Sequence, residues 1–115
     1  MRVALGPGLS AEAADGRAAG RVAVVAGGGA SVESLEAALA LGCTTYVTGN
    51  ALSPCTIAFV RQIHDAFRAR AKTADVAIID GTHYGTEKLA QLAMVDWFKA
   101  RGLEARFEVG VPERR

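Results

Sequence analysis

The stretch RVAVVAGGGASVESLEAALALGCTTYVTGN, residues 21–50, carries the pattern of a strand, a helix and a second strand. Its first six residues are a continuous apolar, largely β-branched run, which is typical of a strand covered on both faces. Three glycines then turn the chain, and Ser31 is placed to cap a helix that ends at Gly42. Residues 43–49 predict the next strand, so this stretch indicates an α/β fold.

The residues that follow extend the same alternation with a second helix. Ser53 and Pro54 suit its N-cap and first position. Its apolar residues recur at helical spacing, which predicts one buried face. This face consists of Ile57, Val60, Ile63 and Phe67.

The last third of the chain repeats the pattern. ADVAIID (74–80) predicts a third buried strand, residues 86–102 predict a third helix that ends at Gly102, and EARFEVG (104–110) alternates like a half-exposed strand. We therefore expect a single domain from residue 21 to residue 115, with a mostly parallel or mixed sheet flanked by helices and right-handed crossovers. Residues 1–20 lack sustained apolar periodicity and predict a loop-rich N-terminal segment.

Composition narrows the class of protein. The chain has 115 residues, of which 50% are hydrophobic, and a net charge of +1. A near-neutral chain gives no electrostatic reason to expect nucleic acid or an anionic membrane as partner. The N-terminus does not resemble a secretion signal, and no apolar run reaches the length of a membrane span, so we expect a cytoplasmic protein. Cys43 and Cys55 show neither zinc-finger nor disulfide spacing and are interpreted as structural thiols.

Two loops at predicted strand ends carry candidate binding groups, because ligand sites in such sheets form beyond the carboxyl ends of the strands. The first contains Gly27, Gly28, Gly29 and Ser31, whose backbone N–H groups suit an anion such as phosphate. A tight strand-to-helix turn explains the same glycines. The second offers Thr48 and Asn50, which suit either a pocket or turn and capping chemistry.

The third loop, DGTHYGTEKLA (80–90), suggests metal chemistry. His83 and Glu87 are four residues apart and share a face if the helix begins early enough. Imidazole and carboxylate together suit zinc, iron or manganese, and Asp80 is placed to orient His83 from the second shell. The alternative is that His83 caps a loop and Glu87 favours the first helical turn. The other histidine, His64, is interpreted as a packed or surface residue.

Three motifs together resemble a known family: RVAVVAGGGAS (21–31), GCTTYVTGN (42–50) and IDGTHYGTEKLAQLAMVDWF (79–98). They are similar to the C-terminal part of the Nif-three-like dinuclear-metal-centre proteins, the GTP cyclohydrolase I type 2 homologues. In that family a glycine-rich turn follows a strand, a later strand ends in TGE, and a GHxxTE motif opens a helix. The resemblance extends from about Arg21 to the end of the chain.

The resemblance implies a Nif-three-like α/β fold, a homo-oligomer and a metal-dependent hydrolase. It implies that His83 and Glu87 bind a divalent metal and that a complete site holds two ions. Asp80 or Thr86 would support these ligands, and the glycine turn with Thr48 and Asn50 would line the substrate pocket.

The chain departs from the family pattern. Asn50 replaces the glutamate of TGE, Thr82 replaces the glycine of GH, and the segment between these motifs is longer. The family's remaining ligands, a His-His pair and an aspartate in an N-terminal half, have no counterpart here. Another copy of the chain or a separate N-terminal half would have to complete the site, unless the chain is a short form or a fragment.

Two rival hypotheses belong to other classes. One is a metal-free scaffold or interaction domain that lacks the catalytic N-terminal half, which the missing ligands and Asn50 favour. The other is a phosphate- or nucleotide-binding module that uses the turn at residues 27–31.

Overall fold

The strands and helices come from a computed structural model that describes residues 8–109. The strands are β1 (Ser10–Glu12), β2 (Val22–Val25), β3 (Thr45–Thr48) and β4 (Ala77–Asp80), and the helices are α1 (Val32–Ala40), α2 (Ala58–Thr73) and α3 (His83–Lys99). Residues 1–7 of the expected loop-rich segment and residues 110–115 of the expected domain lie outside the described residues.

The described strands form one mixed sheet in the order β1-β4-β3-β2. Strands β2, β3 and β4 are parallel, and β1 pairs antiparallel with β4. Each parallel connection contains one helix, α1 between β2 and β3 and α2 between β3 and β4. The prediction of a small α/β domain with a mixed sheet is confirmed.

The hydrophobic core lies between one face of this sheet and the helices α1 and α2. Ala23, Tyr46 and Ile78 are register partners across three strands and therefore share that face. Leu35 of α1 and Phe67 of α2 are fully buried against them. The rings of Tyr46 and Phe67 meet edge to face with centroids 5.1 Å apart, a favourable aromatic geometry.

Strand β2 differs from its prediction. It lies at the edge of the sheet, and Val24 is 69% exposed, so the expectation that both faces are covered is wrong for this strand. Only the face with Ala23 and Val25 packs on the core. Strand β3 is buried at every residue because β2 and β4 lie on either side of it.

Helix α2 begins later than predicted. Its N-cap is Ile57, which makes no side-chain capping bond, so the assignment of Ser53 and Pro54 to the helix start is wrong. The backbone N–H of Ser53 instead donates to the carboxylate of Asp80 at 3.3 Å, and this bond holds the segment as a loop.

The predicted apolar face of α2 is only partly buried. Phe67 lies in the core, whereas Ile57 and Ile63 are exposed. The first turns of α2 therefore extend beyond the core.

Helix α3 begins earlier than predicted, because Thr82 caps it by accepting a hydrogen bond from the N–H of Gly85 at 3.0 Å. Its buried residues are Gly85 and Thr86, both in the first turn. The rest of the helix exposes several large apolar side chains. These include Leu89, Leu92, Met94 and Trp97.

The two ends of the described chain also differ from prediction. Residues 10–12 form β1 inside the segment expected to be a loop. Residues 104–109 form no strand, so the predicted final strand is wrong over its described part. An alternating pattern forms a strand only beside a partner, and none of the four strands of the described sheet pairs with residues 104–109. Among the helices within residues 8–109, none has the length and apolar character that a membrane span requires.

Candidate metal-binding and ligand site

The candidate site lies where the three parallel strands end. Val25, Thr48 and Asp80 are register partners at the carboxyl ends of β2, β3 and β4. The loops that follow are joined by backbone bonds, from Gly49 N–H to the carbonyl of Gly27 at 3.0 Å and from Gly81 N–H to the carbonyl of Thr48 at 2.9 Å. The three loops singled out in the sequence therefore converge at one edge of the sheet, as expected for parallel strands.

His83 and Glu87 meet at this edge. Because α3 starts at His83, the two side chains lie one helical turn apart on the same face. Nε2 of His83 is 3.0 Å from Oε1 of Glu87, and the side chains are 50% and 42% exposed. The structure thus brings the two predicted metal ligands into direct contact in a position that solvent reaches.

Asn50 holds the other side of the His83 ring. Its Nδ2 lies 3.1 Å from Nδ1 of His83, so the amide donates to a neutral imidazole that carries its proton on Nε2. Nε2–H then donates to Glu87. Asn50 has a φ of +57°, a left-handed conformation that asparagine adopts more readily than most residues. The residue that replaces the family's glutamate therefore orients the histidine.

The glycine turn lies directly beneath the pair. A Cβ on Gly27 would collide with Oε1 of Glu87 and would come within 3.1 Å of Nε2 of His83. Gly27 also has a φ of +67°, so both its conformation and the space around it require glycine. The first glycine of the turn provides the room in which His83 and Glu87 meet.

Thr86 fastens the turn to α3. The N–H of Gly27 donates to its Oγ1 at 2.9 Å, and the Thr86 hydroxyl lies 2.9 Å from the carbonyl of Thr82. Thr86 is buried, and its hydroxyl also lies 3.1 Å from the backbone carbonyl of His83. Its role is to hold α3 against the glycine turn.

Asp80 organises two of the loops at once. Its buried carboxylate accepts hydrogen bonds from the N–H groups of Thr82 at 2.8 Å, Leu52 at 2.7 Å and Asn50 at 3.1 Å. It makes no hydrogen bond to the His83 ring in the described chain. Asp80 therefore orients His83 through the backbone on either side of the site, because it fixes both Asn50 and Thr82.

Thr82 adopts an unusual backbone conformation, with φ of +65° and ψ of 157°. This region is almost restricted to glycine and costs other residues about 1–3 kcal/mol. The strain occurs where the family motif has its glycine, immediately before His83. The two bonds made by Thr82, from its N–H to Asp80 and from Gly85 N–H to its side chain, oppose that strain.

Two amide groups of the turn at residues 27–31 already have hydrogen-bond partners within the chain. The N–H of Gly27 is bound to Thr86, and the N–H of Ser31 donates to the carbonyl of Gly29 at 3.0 Å. Ser31 caps α1 as predicted, by accepting from the N–H of Ser34 at 3.2 Å. These bonds favour the interpretation of this segment as a strand-to-helix turn.

Tyr46 supports the turn from the core, where its hydroxyl donates to the carbonyl of Gly29 at 2.7 Å. Burial raises the pKa of this hydroxyl above its ordinary value, so the donated proton is retained at neutral pH. Thr48 is also fully buried, and its hydroxyl lies 3.5 Å from the carbonyl of Gly49. Thr48 therefore supports the end of β3 from below the site.

Sequence reasoning missed the position of His64. This residue and Cys55 line a cavity of about 410 Å³ that also reaches His83 and Asn50. Nothing in the sequence places His64 near His83, because the two lie on different helices whose spacing is set by the sheet. The cavity opens at the carboxyl ends of the parallel strands.

Within the described residues, the candidate metal site consists of two side chains, His83 and Glu87. Among residues 8–109, no three side chains of His, Cys, Asp or Glu are grouped so that they could hold a metal ion. A structural or catalytic metal commonly has three or four protein ligands. Further ligands for a metal at His83 and Glu87 would therefore have to come from outside the described residues.

Solved structures provide the comparison with known proteins. Reduced HcgD from Methanocaldococcus jannaschii is 23% identical with a TM-score of 0.52, and the match covers 72% of this chain and 29% of that one. Two structures of Staphylococcus aureus protein SA1388 are 18% and 19% identical, with TM-scores of 0.58 and 0.59. Both matches cover 95% of this chain. They cover 33% and 29% of the two SA1388 chains, respectively. This chain thus spans about a third of their length.

No family model matches the sequence, and no curated protein matches it either. At these identities the likeness concerns the fold. The chain therefore shares its α/β architecture with HcgD and SA1388 over most of its own length.

Proposed function

We propose that this protein binds a divalent metal through His83 and Glu87 and that a second polypeptide supplies the remaining ligands. The contact between Nε2 and Oε1 carries the proposal. Asn50 holds the far side of the imidazole, so the donor nitrogen faces Glu87. A histidine that binds a metal usually donates the N–H of its second ring nitrogen, and the amide oxygen of Asn50 would accept this bond once the Asn50 side chain turns over.

The separation of the two donor atoms fits a shared ion. Two ligand atoms about 2.1 Å from one metal stand roughly 3.0–3.4 Å apart in octahedral or tetrahedral geometry. Nε2 and Oε1 are 3.0 Å apart. Movement of the imidazole proton from Nε2 to Nδ1 would free both atoms to bind one ion, and the side-chain amide of Asn50 would then turn so that its oxygen accepts from Nδ1–H. Zinc, iron and manganese all accept this combination of ligands.

The proposed activity is metal-dependent hydrolysis. A bound divalent metal supplies an activated water molecule and polarises the substrate. The residues of this chain would hold and orient that metal, with His83 and Glu87 as ligands. Asn50 would fix the ring, and Gly27 would keep the approach to the pair free of side-chain atoms.

The partner is proposed to be a second copy of this chain or a separate N-terminal half. Two ligands alone leave a metal weakly held and largely hydrated, so the affinity should depend on assembly. The exposed apolar residues of α3 adjoin the site along the same helix, which is consistent with a surface that another polypeptide covers.

Metal content of protein purified without an affinity tag tests the proposal. We expect zinc, iron or manganese in the assembled fraction after size-exclusion chromatography, with at least tenfold less metal in Glu87→Gln and His83→Gln. Asp96→Asn is the matched control, because Asp96 is an exposed carboxylate on the same helix. Equal metal content in wild type and Glu87→Gln would contradict the assignment. Absence of metal after incubation with each ion would instead favour a metal-free interaction domain.

A further inference from the structure

A cavity beside His83 and Glu87 is lined by residues that the proposed metal site does not explain. It is lined on one side by the loop after β3 and the first turns of α2, and on the other by Gly28 and His83. Its volume of about 410 Å³ lies within the range of small-molecule sites, which are roughly 300–1,000 Å³. We call this space the α2 cavity.

One wall of the α2 cavity is apolar. Val60 and Ile63 lie on the face of α2 that the sequence predicts to be core, yet at this end of the helix they border the cavity. Ala30 and Pro54 continue the apolar surface. Phe67, further along the same face, is the residue that reaches the hydrophobic core. The apolar face of α2 therefore packs on the core through Phe67 and lines the cavity through Val60 and Ile63, where a ligand can reach it.

The polar groups of the α2 cavity are hydrogen-bonding residues without a carboxylate. They are Asn50, Ser53, Cys55, His64 and His83. The imidazole of His64 and the second N–H of the Asn50 amide can donate to an anion, whereas both ring nitrogens of His83 are already bonded. The cavity lining contains no acidic side chain to repel the anion. A second cavity shares Ser53, Pro54, Cys55 and His64 and brings Arg61 to the same loop, together with Asp65 and Arg68. Arg68 is paired with Glu12 at 3.0 Å, which leaves Arg61 as the cation available on that side.

We propose that the α2 cavity binds a small organic anion, with its apolar body against Val60 and Ile63 and its anionic group towards His64 and Asn50. A phosphate ester or a carboxylate attached to a ring or short chain has this chemistry. The inference deepens the proposed function, since His83 borders both sites and such an anion would lie beside the metal. Binding to the cavity itself requires no metal.

The test uses metal-free wild-type protein and phenyl phosphate as the probe, followed by amide NMR. We expect saturable shifts for Gly28, Ser53, Val60, His64 and His83, with affinity about tenfold or more above that for inorganic phosphate or benzyl alcohol. Ile63→Asp should weaken binding of phenyl phosphate at least tenfold, because it places a carboxylate on the apolar wall. Leu41→Asp at the end of α1 is the control and should leave affinity unchanged, since Leu41 is exposed and outside the cavity.

Equal affinity for inorganic phosphate, shifts confined to other residues, or unchanged affinity in Ile63→Asp would overturn the proposal. If the amide spectrum shows that Ile63→Asp is unfolded, Ile63→Ser replaces it, with the same expected direction. Failure of the metal site would appear as absent metal with intact probe binding. Failure of the cavity proposal would appear as absent probe binding, whatever the metal content.

Discussion

Helices α2 and α3 are of similar length, 16 and 17 residues, but they are held in different ways. Helix α2 buries Phe67 and Ala71 against the sheet in its C-terminal half. Helix α3 is buried at Gly85 and Thr86 and exposes its larger apolar residues. Helix α2 is fixed by side-chain packing, and helix α3 is fixed by hydrogen bonds and close backbone contacts in its first turn.

The difference shows where function can be placed on this fold. The packed half of α2 stabilises the domain and leaves its first turns beside the α2 cavity. The first two turns of α3 carry His83 and Glu87, and the buried carboxylate of Asp80 and the capping residue Thr82 fix the start of this helix. Polar groups at the sheet edge hold the candidate site, whereas apolar groups hold the core.

The largest expected effect is the difference in stability between truncating a buried side chain of α2 and truncating an exposed side chain of α3. Phe67→Ala should lower the free energy of unfolding by about 3–5 kcal/mol, because it removes a fully buried ring that contacts Tyr46. Leu92→Ala on α3 should change it by less than about 0.5 kcal/mol, as for most exposed positions. Urea denaturation measures both. In the monomeric fraction, a loss for Leu92→Ala as large as that for Phe67→Ala would mean that α3 is fixed by side-chain packing within the chain, which would break the comparison.

A smaller effect is expected from the carboxylate that joins the loops. Asp80→Asn should destabilise the protein by roughly 2–4 kcal/mol, because an amide nitrogen would face backbone N–H groups that now donate to a charged acceptor. The amide resonances of Leu52 and Thr82 should shift together in NMR spectra of the variant. Asp96→Asn, an exposed carboxylate on α3, is the control and should stay within about 0.5 kcal/mol of wild type. Equal stability of the two variants would show that hydrogen bonds do not fix this edge.

The smallest effect concerns Thr82, whose backbone strain and capping bond oppose each other. Thr82→Ala loses the bond to Gly85 and keeps the strain, so we expect a loss of about 1 kcal/mol in thermal or urea unfolding. Thr82→Gly loses the bond but relieves the positive φ, so its stability should exceed that of the alanine variant by about 1 kcal/mol. A glycine variant no more stable than the alanine variant would refute the strain argument.

Much of the fold could be predicted from local pattern. The β-branched runs, the cap at Ser31 and the turn at Gly42 predict β2, α1 and β3 in order, and the structure contains them. The wrong predictions arose where a distant group intervened. Ser53 and Pro54 have the residue types of a helix start, but the bond from Ser53 N–H to Asp80 keeps them in a loop.

The candidate site shows the same division. The spacing of His83 and Glu87 predicts that they share a helix face, and their contact requires the helix to begin at His83. The part played by Asn50 could not be inferred from spacing, because 33 residues separate it from His83 along the chain. The sequence also did not predict that one face of β2 is exposed, since edge and central strands have similar apolar runs.

Local patterns are enough to predict the alternation of strands and helices and the shared helix face of His83 and Glu87, because both depend on periodicities within a few residues. Long-range packing brings Gly27, Asn50 and Asp80 around this pair and places His64 at the same cavity. These contacts join loops that are distant in sequence, and the register of three parallel strands brings them together. Local preferences set the elements, whereas strand pairing and buried hydrogen bonds set the site.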